Sequence, residues 1–306
     1  MPIRRSRVSS LLAVLLAAGA STAPLAAQFE GCTWERCAAR TVPGTFTGSA
    51  RVVIGADTLA LGWRGTEAAA RLSRASEAAP HAARMRQART IGVPIAVAAA
   101  ITAPFALAAL FPDGGFGAEP TDRPIGLTIL VPTLVAFGST GTWRAERELH
   151  HAIWRHNRQL ALAIRTPLRD SAGPSGAACG IERCGLRVRL RGGFGGRRLV
   201  QGDHGPQVDL DPWRPGPVAA LVQTTPGADA DVARWADAGR ESTLIGVVAV
   251  LGATVTMALA GGERWQRALV GSGIAVGGGL LAQARSAAAQ RALEDAIWRH
   301  NGALAR

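Results

Sequence analysis

Four long runs without a single charged side chain dominate this chain and restrict what it can fold into. Thr90–Pro112 is uncharged over 23 residues, Pro124–Trp143 over 20, Ser242–Gly262 over 21 and Ala268–Ala284 over 17. A helix that crosses a bilayer needs about 20 apolar residues, with ~17 near the lower limit. The runs therefore read as four membrane spans, at about 91–111, 125–142, 243–261 and 268–284. The alternative is two buried helical hairpins of a soluble protein. Pro94, Pro104 and Pro132 are compatible with spanning helices, where neighbouring groups re-satisfy freed backbone polar atoms. The fourth run is short and glycine-rich. Its Gly273-xxx-Gly277 has the small-xxx-small spacing of close helix contacts, with Ala98, Ala99 and Thr102 as the expected opposing face.

The runs fall into two sets because the chain reads as one unit written twice. Cys32-Thr-Trp-Glu-Arg-Cys37 matches Cys179-Gly-Ile-Glu-Arg-Cys184 at an offset of 147. Trp63-Arg64 matches Trp213-Arg214 at 150, and Ile91-Gly92-Val93 matches Ile245-Gly246-Val247 at 154. Ala152-Ile-Trp-Arg-His-Asn157 is identical to Ala296-Ile-Trp-Arg-His-Asn301 at 144. Landmarks in one order with small drifts are the signature of an internal repeat. The drop from 154 to 144 places a deletion in the second copy, where the loop Pro112–Arg123 shrinks to about Gly261–Arg267.

The expected fold is mainly α and membrane-embedded, a tandem duplication. Each unit combines a small extracytoplasmic Cys-linked β element, a two-helix transmembrane hairpin and a closing amphipathic helix. The expected divisions are a signal peptide at 1–27, repeat unit 1 at 28–165, a linker at 166–178 and repeat unit 2 at 179–306. The β element is clearest where Leu186, Val188 and Leu190 alternate with Arg187, Arg189 and Arg191. Gly192–Gly196 marks a turn, and Val208–Asp211 offers a return strand. Arg51–Gly55 and Asp57–Leu61 suggest a similar hairpin in the first unit.

The N-terminus has the layout of a secretory signal. Arg4, Arg5 and Arg7 precede the apolar run Ser10–Ala20, and Leu25-Ala26-Ala27 supplies small exit residues. An uncleaved anchor helix is the alternative. A signal followed by an even number of spans puts the Cys loops and the C-terminus outside a bacterial-type inner membrane. The arginines at 71, 74, 84, 86, 89, 144, 147 and 155 flank the first hairpin and argue for the opposite orientation. Export engages first, and paired Cys suit an oxidising compartment, so the signal is preferred.

Candidate chemistry is sparse. The two C-x4-C pairs, Cys32 with Cys37 and Cys179 with Cys184, read as one disulfide per unit; cross-unit disulfides and a four-Cys zinc site are the alternatives. Both units keep Trp154, Arg155, His156 and Asn157, with counterparts Trp298, Arg299, His300 and Asn301. Leu149, Ile153 and Leu160, like Leu293, Ile297 and Leu304, fall at helical spacing, so the motif reads as an amphipathic anchor with Trp at the headgroup level. Ligand binding by its His and Asn is the sharper alternative. His151 and His156 sit about 140° apart on a helix, and Glu294 and Asp295 replace His150 and His151 in the second unit, which argues against a metal.

No nucleotide, zinc-protease or serine-hydrolase motif is present, and no ionisable residue lies inside a proposed span. No cofactor is expected and the balance leans away from an enzyme. The net charge is +12, all 34 basic residues being Arg. Arg187, Arg189, Arg191, Arg197 and Arg198 could meet anionic lipid or another envelope polymer. Nucleic acid is not expected, since only Phe194 could stack. The expected partner is the lipid bilayer and the expected role an envelope scaffold or interaction protein. A membrane-embedded enzyme or small-solute transporter is the runner-up, and the sequence does not specify an oligomeric state.

Overall fold

The structure is a computed structural model that describes residues 29–43, 50–110, 125–169, 179–190, 196–259 and 264–306. The signal at 1–27, the loop 112–123 and most of the linker lie outside the described residues, as does the glycine turn except for Gly196.

The first half begins with a helical turn, α1 (Trp34–Cys37), inside its Cys loop. A meander of β1 (Ala39–Val42), β2 (Arg51–Ile54) and β3 (Asp57–Ala60) follows, then a short α2 (Thr66–Leu72). Two long helices, α3 (Ala79–Leu110) and α4 (Ile125–Arg169), complete it. The second half runs in the same order. Its elements are α5 (Ile181–Cys184), β4 (Leu186–Leu190), β5 (Arg197–Gln201), β6 (Gln207–Asp209), α6 (Gly216–Val222), α7 (Ala228–Leu259) and α8 (Arg264–Ala305). Each sheet is three-stranded and antiparallel, ordered β1-β2-β3 and β4-β5-β6. Each Cys pair is joined as a local disulfide, with Cα atoms 5.8 Å apart in both.

The expected first-half hairpin exists, β2 pairing with β3, but the second-half one is paired differently and both sheets hold more than the alternation indicates. The Leu186–Leu190 strand is present and buries Leu186, Val188 and Leu190. Its partner is Arg197–Gln201 rather than the 208–211 segment, which only overlaps the third strand, Gln207–Asp209. In β5 the adjacent Leu199 and Val200 are both buried, so a period-two test misses it.

The apolar runs and the closing segments are not separate helices. α4 is continuous over 45 residues and α8 over 42. No Gly or Pro stands between Trp143 and Arg165, so nothing in the local sequence stops the helix. At ~1.5 Å per residue α4 is about 68 Å long, more than twice the ~30 Å of a hydrocarbon core. One end therefore packs against the sheets while the other projects beyond them. The same continuity carries α4 through to Arg169, into the stretch expected to be linker.

The sheets and the proximal ends of the helices enclose the core. One cluster joins Trp34, Val52, Leu59, Leu72, Met85, Leu149, Trp154 and Leu160, and it includes Ile181 from the second half. The other joins Leu186, Leu199, Val222, Val232, Trp235, Leu293 and Ile297. Past this head the helices expose apolar side chains. Ile91 and Ile101 on α3, Phe137 on α4, Val276 and Leu281 on α8 all face outward, and Val248 on α7 is 66% exposed. Among the described residues one helical segment, Ala228–Thr256, is long and apolar enough to cross a membrane. In α8 the glycines at 271, 273, 277, 278 and 279 dilute the hydropathy.

Each hairpin closes through small residues. On α3 and α4, Gly92 lies against Gly141 and Gly138 against Ala96; a Cβ on Gly92 would sit 2.7 Å from the Gly141 carbonyl carbon. On α7 and α8, Ala249 meets Gly278, Gly252 lies beside Ile274, and Ser242 Oγ donates to the Ala282 carbonyl at 2.8 Å. Gly273 and Gly277 are not in this contact. Both are exposed, with nothing within 4 Å of an added Cβ. The reason is helical register: the inner row of α8 is Ile274, Gly278 and Ala282, and Gly273 and Gly277 precede it by one residue, about 100° around the axis. Replacing Gly92 with Leu should force the α3–α4 backbones apart and destabilise by about 1–3 kcal/mol. Replacing Gly273 and Gly277 with Leu should leave the melting temperature of detergent-solubilised protein unchanged.

Candidate functional site

The repeated Trp-Arg-His-Asn motif lies where α4 and α8 pass between the two sheets. Four consecutive helical residues point about 100° apart and so face every direction. A helix with a single narrow buried face buries one or two residues of such a run; here most of each motif is covered, while Arg299 stays exposed. Trp154, His156, Asn157, His300 and Asn301 are all buried, Trp154 at 3% exposure. This corrects the expectation of a Trp at the headgroup level, because Trp154 belongs to the core of the head.

Each motif position has one job in both halves. Asn157 accepts the Ala39 N–H at 2.7 Å and donates to the Ala39 carbonyl at 2.7 Å. Asn301 repeats this on Leu186, at 2.7 and 2.8 Å. A carboxamide has one acceptor and a donor side by side, so each Asn pairs with its strand as a neighbouring strand would. The first residue of each outer strand, Ala39 of β1 and Leu186 of β4, thereby has its outward-facing backbone paired. His156 Nε2 lies 3.0 Å from the Cys37 carbonyl and His300 Nε2 3.1 Å from that of Cys184. A carbonyl only accepts, so Nε2 carries the proton in both. The other nitrogen of His300 faces Thr225 Oγ1 at 2.9 Å.

The arginines tie each closing helix to its hairpin partner. Arg155 pairs with Glu77 at 3.2 Å, just before α3, and Arg299 pairs at 2.9 Å with the buried Asp231 in the first turn of α7. The tryptophans cross between halves. The Arg187 guanidinium from β4 lies over Trp154, 5.4 Å from its centroid, and Arg40 from β1 lies over Trp298 at the same distance. Arg40 also pairs with Asp295 at 2.6 Å, and Trp154 Nε1 reaches Asp203 at 3.4 Å. Two further bridges cross the junction, Arg158 to Glu182 and Arg197 to Glu146, both at 2.6 Å. Of the basic cluster on β4 and β5, Arg187, Arg197 and Arg198 are thus already paired, the last with Asp209 at 2.6 Å.

His150 stands between Glu146 and Glu294 at 3.9 Å from each. His151 stacks on His81, centroids 5.2 Å apart, while His81 and Arg84 share Glu148 at 2.8 and 3.0 Å. Burial, reinforced by His81, pushes His151 down to about 4. Burial also lowers His156 and His300, partly offset by their bonds to Cys37 and Cys184. Burial raises Glu294. Among the described residues no group of three or more His, Cys, Asp or Glu could hold a metal ion. Two cavities at the junction measure about 40 and 50 Å³, and both touch His150 and Glu294. They have room for a few waters and fall short of the ~300 Å³ of a small ligand pocket, whereas an open groove of about 640 Å³ between Trp34 and Arg40 of the first half and Thr225, Trp298 and Arg299 of the second exceeds it.

The sequence marks the motif and both Cys pairs, and the structure brings them together. It does not mark Ala39, Arg40 or Asp203, their partners, and it marks Leu186 only as a strand residue, not as the partner of Asn301. No protein-family model matches the chain, and no curated protein or solved structure matches it.

Removing one carboxamide leaves a buried N–H and C=O unpaired, each worth about 1–3 kcal/mol. Asn157→Ala and Asn301→Ala should therefore each lower unfolding free energy by about 2–4 kcal/mol in denaturant titrations. A second expectation concerns pH. Histidines held below their ordinary ~6.5 bind protons in the unfolded chain first. Their contribution is complete above ~6.5 and is lost as the pH falls towards their folded values. Glu294, raised by burial, acts in the opposite sense. The double variant His156→Gln, His300→Gln should show a shallower loss of stability than wild type between pH 6.5 and 4.5.

Proposed function

We propose that this chain is an integral membrane protein of the bacterial inner membrane, with a signal ending at Ala27 and two transmembrane hairpins. They carry a single disulfide-stapled head on the extracytoplasmic side. Its role is that of a non-enzymatic scaffold or interaction protein, built by tandem duplication.

The observation that carries this reading is the change in character along the long helices. Charge ends at Arg89 on α3, Arg144 marks it on α4, and it ends at Glu241 on α7 and Arg285 on α8. Beyond those points, as far as Arg264 and Arg267 at the distal end of α8, the large outward-facing side chains are Ile, Val, Leu and Phe, with Thr133, Thr140, Thr254 and Gln283 among them. Water gives no reason for such a surface, whereas lipid does. The duplication is supported by contacts as well as letters, since Asn157 and Asn301, like His156 and His300, make matching bonds. The scaffold role follows from how the conspicuous polar groups are used: Trp, Arg, His and Asn of each motif hold the head together.

Orientation rests on the disulfides, which persist in oxidising compartments. The Arg-rich flanks that oppose it have another use. Arg71 pairs with Asp57, Arg84 with Glu148, and Arg89 donates to the Gly62 carbonyl. Arg306→Cys places a thiol on an exposed C-terminal residue. A membrane-impermeant maleimide should label it in intact spheroplasts, and labelling only after lysis would reverse the topology. For the scaffold role, motif variants should lose cellular function only in step with lost folded protein. A fully folded variant without function would instead assign chemistry to the motif.

A further inference from the structure

Two tryptophans lie outside every contact described so far. Trp63 is 55% exposed and Trp213 54%, in a protein whose Trp34, Trp154 and Trp235 are buried. They stand at matching places, each in the turn between the third strand and the short helix, and each is followed by an exposed arginine, Arg64 or Arg214. A large ring left in water at both equivalent positions calls for a partner.

The contacts of the two turns fix their height along the helices. Gly65, in the left-handed conformation with φ +61°, is pressed against α3. A Cβ there would meet Met85 Cε and Arg89 Cδ at 3.3 Å. The Arg89 guanidinium donates to the Gly62 carbonyl, the residue before Trp63. Arg89 is the last charge before the first apolar run. In the second half Pro212, the residue before Trp213, packs on Gly239, where a Cβ would meet its ring at 2.8 Å. Gly239 precedes Ser242, the first residue of the third run, by three positions, about 4.5 Å along the axis. Both turns are thus held within about one helical turn of the level at which the helix surface becomes apolar. Trp143 joins them at the end of the second run, with Arg147 over its ring at 5.1 Å.

Indole at this depth, beside a cation, is the chemistry of a membrane–water interface: the ring sits among headgroups and acyl carbonyls, and arginine meets phosphate. We propose that Trp63-Arg64 and Trp213-Arg214 are paired interfacial anchors that seat the head on the headgroup layer of the bilayer its own helices cross. The proposal rests on the membrane reading above. It adds that the head lies against the membrane rather than standing clear of it. The occupant is the lipid surface; continuity with the apolar helix faces, and an exposed arginine next in sequence to each tryptophan, favour it over a protein partner.

The test uses the full chain in vesicles of phosphatidylethanolamine and phosphatidylglycerol, with Trp63→Phe and Trp213→Phe as subtraction partners. Nitroxide-labelled lipids, spin-labelled near the headgroup or deep in the acyl chain, are the probes. The fluorescence lost in each variant should be quenched at least twofold more by the shallow label than by the deep one. It should also be shielded from aqueous iodide. Strong iodide quenching with no shallow-lipid quenching would overturn the proposal. Val248→Trp reports on the membrane reading separately. If that added ring is quenched by the deep label while Trp63 and Trp213 are not, the anchors alone are wrong. If it too is reached only by iodide, the membrane reading fails with them.

Discussion

Two carboxamides hold this architecture together. Each Cys loop is short, and each sheet has only three strands, with a first strand whose outer edge faces no further strand. A small sheet of this kind is marginal in water unless it packs against something. Asn157 and Asn301 supply both backbone partners that the outer edge lacks at the first residue of β1 and of β4, and they do so from the side of a long helix. Strand, disulfide loop and helix become one body at that point. His156 and His300 repeat the attachment one residue away, at the carbonyl of the second cysteine in each loop. The disulfide limits the freedom of the loop, and the helix fixes where the loop sits.

The rest of the head follows from this docking. With its strand fixed beside α4 or α8, each half points an arginine, Arg40 or Arg187, across the junction onto the tryptophan of the other half. Exchange of equivalent contacts is what a pair of matched units produces when they pack about a twofold axis. Here the two partners share one chain. The exchange is not perfect, and the departures are local. Thr225 meets His300, whereas Ala75 occupies the matching position at an offset of 150. Gly302 stands where Arg158 stands in the first half, and the Trp34 indole packs into the space that its missing side chain leaves.

Much of the architecture is legible in the sequence because it depends on features that repeat. Uncharged runs give the long helices, alternation gives β4, and C-x4-C gives the local disulfides. The identical Trp-Arg-His-Asn segments single out the residues that matter, yet not their role. A consecutive motif has no amphipathic direction, and the apolar residues at 149, 153 and 160 suggest a single buried face where the fold covers most of each motif. The register of the α7–α8 contact is equally hidden. A glycine-rich segment offers small-residue rows at 273/277 and at 274/278, and only the facing helix selects between them. Partners such as Ala39 and Leu186 contribute backbone atoms, which any residue could provide, so no side-chain pattern marks them as the asparagines' partners.

The central claim is that the asparagine carboxamides pair the outward-facing backbone of Ala39 in β1 and of Leu186 in β4, and amide hydrogen exchange reads it at single residues. The N–H groups of Ala39 and Leu186 have no strand beyond them; their protection comes from Asn157 and Asn301. The account predicts that both exchange as slowly as the core amides of β2 and β5, and that Asn157→Ala releases Ala39 while leaving Leu186 slow. Exchange of Ala39 and Leu186 in the intact protein at the rate of an open strand edge would contradict it.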